Sequence, residues 1–202
     1  FPTRRSSDLQ LEEGRYIDIE KLEGSADDKV VLRVSYDNNP GDPFDLGCHK
    51  WKELLEERSG GTMQLELYPS AQLGNKDDLL DQMVAGQPIS TLCDGAFFYE
   101  RGVHDFGIVF GPFMFSSWPE VFKIYGSDWY QEQADKLAQK AKIRIVATNW
   151  RYGARHMLTT KPISKLSDLK GLKLRVPTNN IQVKGMEVLG ATPTPMTLSE
   201  VY

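Results

Sequence analysis

Apolar positions recur along this chain with two different periods, and the switches between them lay out an alternation of strands and helices. The run VVLRVSY (30–36) is β-branched and apolar and ends at NNPGDP, which predicts a strand and a turn. Phe44, Cys48, Trp51 and Leu55, with Leu54 beside them, then repeat at helical spacing. Asp42 supplies a cap, Pro43 a first-turn proline and Gly60-Gly61 a stop. In TMQLELY (62–68), Met63, Leu65 and Leu67 share one face, the period of a strand. PSAQLGN reads as a loop, 77–86 as a short helix with a terminal glycine, and ISTLCDG (89–95) as an apolar strand ending in a carboxylate.

Residues 97–120 are rich in aromatics and glycine and predict a packed loop with short elements. A helix is expected over 119–141, opened by Pro119, and a strand over 143–150, IRIVATNW. After a connector at 161–171 come a strand at 172–176, LKLRV, a helix at 179–191 and an extended TPTPM. Strands alternating with helices in this order predict an α/β protein with largely parallel sheets.

Composition narrows the function classes. The chain has 202 residues, 40% hydrophobic and 26% charged, enough for a sizeable core in one domain or one and a half. A net charge of −4 with mixed signs leaves no basic footprint for nucleic acid. No apolar run approaches the roughly 20 residues that span a bilayer, so membrane contact is expected only through a partner. Two cysteines, Cys48 and Cys93, show no CxxC spacing and read as small apolar fillers. His49, His104 and His156 have no spacing suited to a metal or a triad, and no GxSxG, P-loop or GxGxxG motif is present. No cofactor is therefore expected. The start, FPTRRSSDL, lacks the apolar region of a secretion signal and reads as non-native; residues 10–28 read as an acidic, disordered arm. The chain stops at LSEVY, where another helix is expected to begin.

Specific motifs lie on this framework. YPSAQLGN at 68–75, YGARHMLTTKPISKLSDLKGLKLRVP at 152–177 and LGATPTPMTLSEVY at 189–202 resemble TRAP-transporter solute-binding proteins. The resemblance covers about 29–202, and its last two blocks are the most specific. It implies a periplasmic-binding-protein-like, two-lobed α/β clamp, with lobe one at 29–151 nearly complete and lobe two only begun at 152–202. It further implies a non-catalytic receptor, periplasmic or lipid-anchored outside the cell. Such a receptor captures a small organic acid (a dicarboxylate, sugar acid, sialic acid or keto acid) and passes it to membrane permease subunits. On this reading the chain is a C-terminally truncated fragment that binds its ligand only weakly by itself.

The candidate site residues follow. Arg175 sits within the apolar strand LKLRV, where a buried guanidinium needs an anion or many acceptors; strand alternation alone would equally put it outside, with Lys173. The resemblance assigns it to the ligand carboxylate, which matches its planar fork. Arg155, after a strand-to-loop junction, is implied as a second contact, with Arg151 as its competitor. Asp94 is either a cleft carboxylate or a turn aspartate before Gly95. Asp37, with Asn38 and Asn39, ends the first strand, and the resemblance puts a polar contact there. Asn75 and Lys76 are weaker candidates. Trp150, Phe97 and Phe98 are either core or apolar walls of the cleft. The alternatives to a transport receptor are a periplasmic enzyme acting on small acids and a sensor ectodomain with the same fold.

Overall fold

The computed structural model describes residues 29–201. The arm expected at 1–28 lies outside the described residues. The first sheet holds three parallel strands in the order β2-β1-β3, with β1 at Val30–Ser35, β2 at Met63–Tyr68 and β3 at Ile89–Ser90. β1 pairs with β2 from Val30↔Met63 to Ser35↔Tyr68. As the middle strand it buries Val34 and Ser35 completely, and Leu65 of β2 is equally enclosed. Helices α1 (Pro43–Arg58) and α2 (Lys76–Val84) make the crossovers that parallel strands require.

Local chemistry explains where these elements begin. Pro43 opens α1. Asp42 makes no side-chain cap to this helix; its carboxylate instead accepts from the Asn39 amide at 3.0 Å, tightening the turn before it. α2 starts one residue earlier than its pattern suggested, because Asn75 and Asp78 form a reciprocal capping box. The aromatic-rich segment from 97 on takes up most of α3 (Gly95–Glu100) and a 3-10 helix (His104–Phe110). Phe97, Phe98 and Phe106 are buried there, with Tyr130, Leu137 and Ile143.

Two expectations are corrected. The helix expected over 119–141 is two helices, α4 (Trp118–Tyr125) and α5 (Asp128–Ala141). Gly126 closes the first, and the Ser127 hydroxyl accepts the Tyr130 amide at 3.2 Å to open the second. The strand expected at 143–150 joins no ladder: its residues are extended and held by side chains. Ile143 is buried against α5, and the Trp150 ring stands 5.2 Å from Phe44 and 6.3 Å from Trp51. Gly47 is what admits Trp150, since a Cβ there would lie 3.0 Å from its ring. The strand ISTLCDG is also shorter than expected, with only Ile89 and Ser90 paired.

The second sheet has two parallel strands, β4 (Lys173–Val176) and β5 (Thr192–Pro195), joined by α6 (Asn180–Val188). Arg175 pairs in register with Thr194. Pro193 and Pro195 suit β5 because they lie in a strand with one described neighbour. The chain leaves the first sheet's surroundings between Tyr152, whose ring meets Phe44 at 5.9 Å, and Arg155, which reaches α6.

Candidate ligand-binding site

In open α/β sheets the groups that emerge at the carboxyl ends of parallel strands face a common crevice. Here the chain after β1 supplies Asp37 and Asn38, the chain after β3 supplies Asp94, and β4 supplies Arg175 near its own end. Arg155 and Tyr152 come from the extended crossover.

Arg175 is half-buried. Its Nε and Nη2 both donate to the Met196 carbonyl, at 2.9 and 2.7 Å, so the chain after β5 pins one edge of the guanidinium. Burial and then the nearby Arg155 guanidinium push its pKa down, while Asp37, Tyr152 and Glu200 act in the opposite sense. Arginine stays charged across the physiological range, so that shift reports mainly the burial of the guanidinium and, second, the presence of the Arg155 cation. Arg155 donates from Nη1 to Gln182 Oε1 at 2.9 Å, and its Cζ lies 5.4 Å from the Phe110 ring centre. Among the described residues neither arginine is ion-paired with a carboxylate.

The opposite wall comes from the first sheet. Lys76 Nζ is 3.8 Å from Asp37 Oδ2 and 5.2 Å from the centre of the Phe97 ring. Asp94 Oδ1 accepts the Ala96 amide at 3.1 Å and so caps α3. Burial raises the Asp94 pKa; Lys76, the Ala96 amide, Arg155 and the Phe97 amide offset this only in part. Asn38 and Tyr152 exchange a hydrogen bond at 3.1–3.2 Å.

The structure thus brings together Arg175, Arg155, Asp37, Asn38, Asp94 and Lys76. It separates others. Trp150 packs within the cluster around Val34, Tyr36, Cys48 and Leu65. Phe97 and Phe98 belong to the other core cluster, and Phe97 approaches the site only as the ring beneath Lys76. Arg151 stacks on Trp118 and Phe122, with Cζ 5.4 and 4.9 Å from their ring centres. Asn39 accepts the Ser70 hydroxyl, and Asn75 is spent on capping α2.

Tyr152 and Gln182 were missed in the sequence. Tyr152 finds Asn38 across 114 positions and Gln182 finds Arg155 across 27, separations that no local pattern encodes. Cys48 is buried and free, its thiol pushed up to about 12 by burial and the Asp45 carboxylate; Cys93 is free and also raised by burial. Among the described residues no group of His, Cys, Asp and Glu is arranged to hold a metal, and no helix is long and apolar enough to cross a membrane.

The chain has counterparts among known proteins. The chain is 35% identical over 152 residues to the sialic acid-binding periplasmic protein SiaP of Vibrio cholerae, an alignment covering 74% of this chain and 46% of that protein. It is 28% identical over 173 residues to the C4-dicarboxylate-binding periplasmic protein DctP of Rhodobacter capsulatus, covering 86% of this chain and 51% of that one. The chain therefore spans about half the length of these relatives. Its fold matches a TRAP periplasmic solute-binding protein from Ochrobacterium anthropi with bound L-fuconate, at a TM-score of 0.82 and 44% identity over 86% of this chain and 57% of that one. A second such protein, from Actinobacillus succinogenes with bound L-galactonate, matches at a TM-score of 0.81 and 38% identity, covering 86% and 57%. The family model of the bacterial extracellular solute-binding proteins, family 7 (DctP), matches residues 34–202, and the chain belongs to that family of TRAP-type solute-binding proteins.

Proposed function

We propose that the protein carrying this chain is an extracytoplasmic receptor that grips a small organic acid through Arg175 and Arg155 and delivers it to the membrane permease of a TRAP-type transporter. One observation carries the reading. Arg175 near the end of β4 and Arg155 on the crossover are each held by a neutral acceptor, the Met196 carbonyl and the Gln182 carboxamide, and neither is ion-paired among the described residues. A ligand carboxylate would supply the missing anion and offers planar, paired acceptors to such forks. Lys76, Asp37, Asn38 and Asp94 on the facing wall supply donors and acceptors suited to hydroxyls. That mixture fits a hydroxylated acid, the chemistry of the L-fuconate and L-galactonate held by the two structural neighbours. Periplasmic location and the permease partner are part of the same proposal, by kinship to the named periplasmic relatives.

Calorimetry on the complete gene product tests it, with L-fuconate, L-galactonate, N-acetylneuraminate and succinate as probes. Arg175→Ala is expected to cost about 2–5 kcal/mol of binding free energy, the range for breaking a buried, hydrogen-bonded charge pair. Arg175→Lys is expected to bind poorly too, because a point charge does not reproduce the fork. Affinity in Arg175→Ala equal to that of the unmodified protein would refute the arginine grip.

A further inference from the structure

Gln182 stands out among the buried polar side chains. It is 9% exposed on the first turn of α6, and its Oε1 accepts from Arg155 Nη1 at 2.9 Å. Its Nε2 is buried and has no hydrogen-bond partner. Its own backbone amide donates to Asn179 Oδ1 at 3.0 Å, so the helix cap fixes the turn from which the side chain projects. Asn179 is completely buried, and its Nδ2 is also without a partner. Buried amide hydrogens without acceptors cost stability and are rare in folded proteins. Two of them in one helical turn, one on the very amide that touches Arg155, mark a place where an acceptor is still to arrive.

Arg155 needs such a support. It lies on the extended crossover, outside any strand ladder, so no regular backbone pairing orients its side chain. The Phe110 ring limits one face of the guanidinium, and the Gln182 oxygen fixes its direction. A neutral carboxamide suits this task. It accepts from the guanidinium without cancelling its charge, whereas a carboxylate in the same place would compete with the ligand for it. Its remaining N–H groups can donate to an oxygen of an acid held by the same guanidinium.

We infer that Gln182 is the positioning residue for Arg155: its carboxamide oxygen aims the guanidinium at the ligand carboxylate, and its unpaired N–H side faces an oxygen of that bound acid. The inference rests on the receptor reading above, and its test is built to fail separately from it.

The experiment measures dissociation constants of the complete gene product for L-fuconate, L-galactonate, N-acetylneuraminate and succinate, in unmodified protein, Q182L, Q182E, R155A and the double variant R155A/Q182L. Thermal unfolding of each variant checks that it is folded. For the tightest-binding probe, Q182L is expected to weaken binding about tenfold, the scale of one lost hydrogen bond to a charged group. In the R155A background the same change is expected to weaken it less, because the part of its effect that acts through Arg155 is already gone and only the direct N–H contact remains to be lost. Q182E retains size and acceptor geometry, yet at neutral pH it is expected to bind more weakly than Q182L, since its carboxylate pairs with Arg155 and repels the acid. Measured against the unmodified protein at each pH, so that protonation of the acid itself cancels, its deficit is expected to shrink as the pH falls through the carboxylate range. A purely structural role for Gln182 would not produce that charge dependence. Equal effects of Q182L with and without Arg155, or Q182E binding as well as the unmodified protein, would overturn the inference while leaving the receptor reading intact. If Q182L does not fold, Q182E and its pH profile decide alone. Failure of the unmodified protein to bind any of the four acids would overturn both.

Discussion

At the scale of single residues, Asp94 performs two tasks that pull against each other. Its carboxylate caps α3 through the Ala96 amide and stands near the Lys76 and Arg155 cations, yet burial leaves its folded pKa above the ordinary value. Because the folded state then holds the proton more tightly than the unfolded chain, ionisation costs stability. The cost is absent below the unfolded value of about 4, grows as the pH rises from there through the raised folded value, and stays constant above it. Asp94→Asn removes the charge but keeps a good N-cap residue. It is therefore expected to melt at a higher temperature than the unmodified protein at pH 7, with the gap closing as the pH falls below about 4. A lower melting temperature for the variant at neutral pH would show that Lys76 and Arg155 outweigh burial. The sequence made such residues only partly legible. Arg175 and Arg155 could be named because the motifs around them are distinctive, and Asp94 because it ends an apolar run before a glycine. Whether Asp94 was a turn aspartate or a cleft carboxylate had no local answer; it caps α3, and its charge also feels Lys76 and Arg155. Trp150, Phe97 and Phe98 illustrate the converse: an aromatic ring carries no sequence mark that separates core from cleft, and these three are held by core neighbours.

The elements were read correctly where the signal was periodic and misread where it depended on capping or on a distant neighbour. The parallel pairing of β1 with β2 follows from apolar runs separated by a helical pattern, all visible in the chain, whereas β4 pairs with β5, a TPTP run whose sequence showed only an extended segment and no strand to partner LKLRV. The break between α4 and α5 was also written there, as a glycine followed by a serine three residues ahead of Tyr130, but the continuing apolar repeat hid it. The run at 143–150 has strand composition without a strand's pairing, because ladder membership is decided by neighbours far away in sequence. Asn75 shows how much a terminus can contribute. Its Oδ1 accepts the amides of Asp77 at 2.9 Å and Asp78 at 3.1 Å, and Asp78 Oδ2 returns a bond to the Asn75 amide at 2.9 Å. Gly74 ahead of it, with φ at 116°, sits so close that a Cβ would lie 2.7 Å from the Asp78 Cβ. Asn75→Ala is expected to cost about 1 kcal/mol of unfolding free energy, read from denaturant midpoints. Because α2 carries Lys76, which pairs with Asp37 at the candidate site, ligand affinity is expected to fall as well. An unchanged midpoint would mean that Asp78 and the helix dipole suffice to start α2.

Across the whole molecule, what matters is how the surroundings of the two sheets are held against each other. Two hydrogen bonds cross between them beside the site: the Thr178 hydroxyl donates to Asp77 Oδ2 at 2.9 Å, and the Asn180 amide donates to Glu100 Oε1 at 2.8 Å. Asp77 is itself steadied by Arg101, 3.5 Å from its Oδ1, and Arg101 also reaches Asp81 at 2.9 Å. The Glu100 contact has a favourable direction, since a carboxylate at the amino end of α6 meets unpaired amides and the positive end of the helix dipole. Both bonds join α2 and α3 to the turn that follows Arg175, so they hold that turn, and the arginine before it, in the neighbourhood of Asp37. Neither side chain is among those placed against the ligand. If these bonds set the fraction of molecules already closed, their loss taxes affinity through that fraction alone, without altering any ligand contact. Glu100→Ala in the complete gene product is therefore expected to weaken binding a few-fold, and to raise the radius of gyration of the ligand-free protein in X-ray scattering. The saturated complex should retain the scattering profile of the unmodified complex, since ligand contacts bridge the cleft in both. Weaker binding with no change in the ligand-free profile would place the effect of Glu100 inside the site rather than in the closing of one sheet's surroundings on the other.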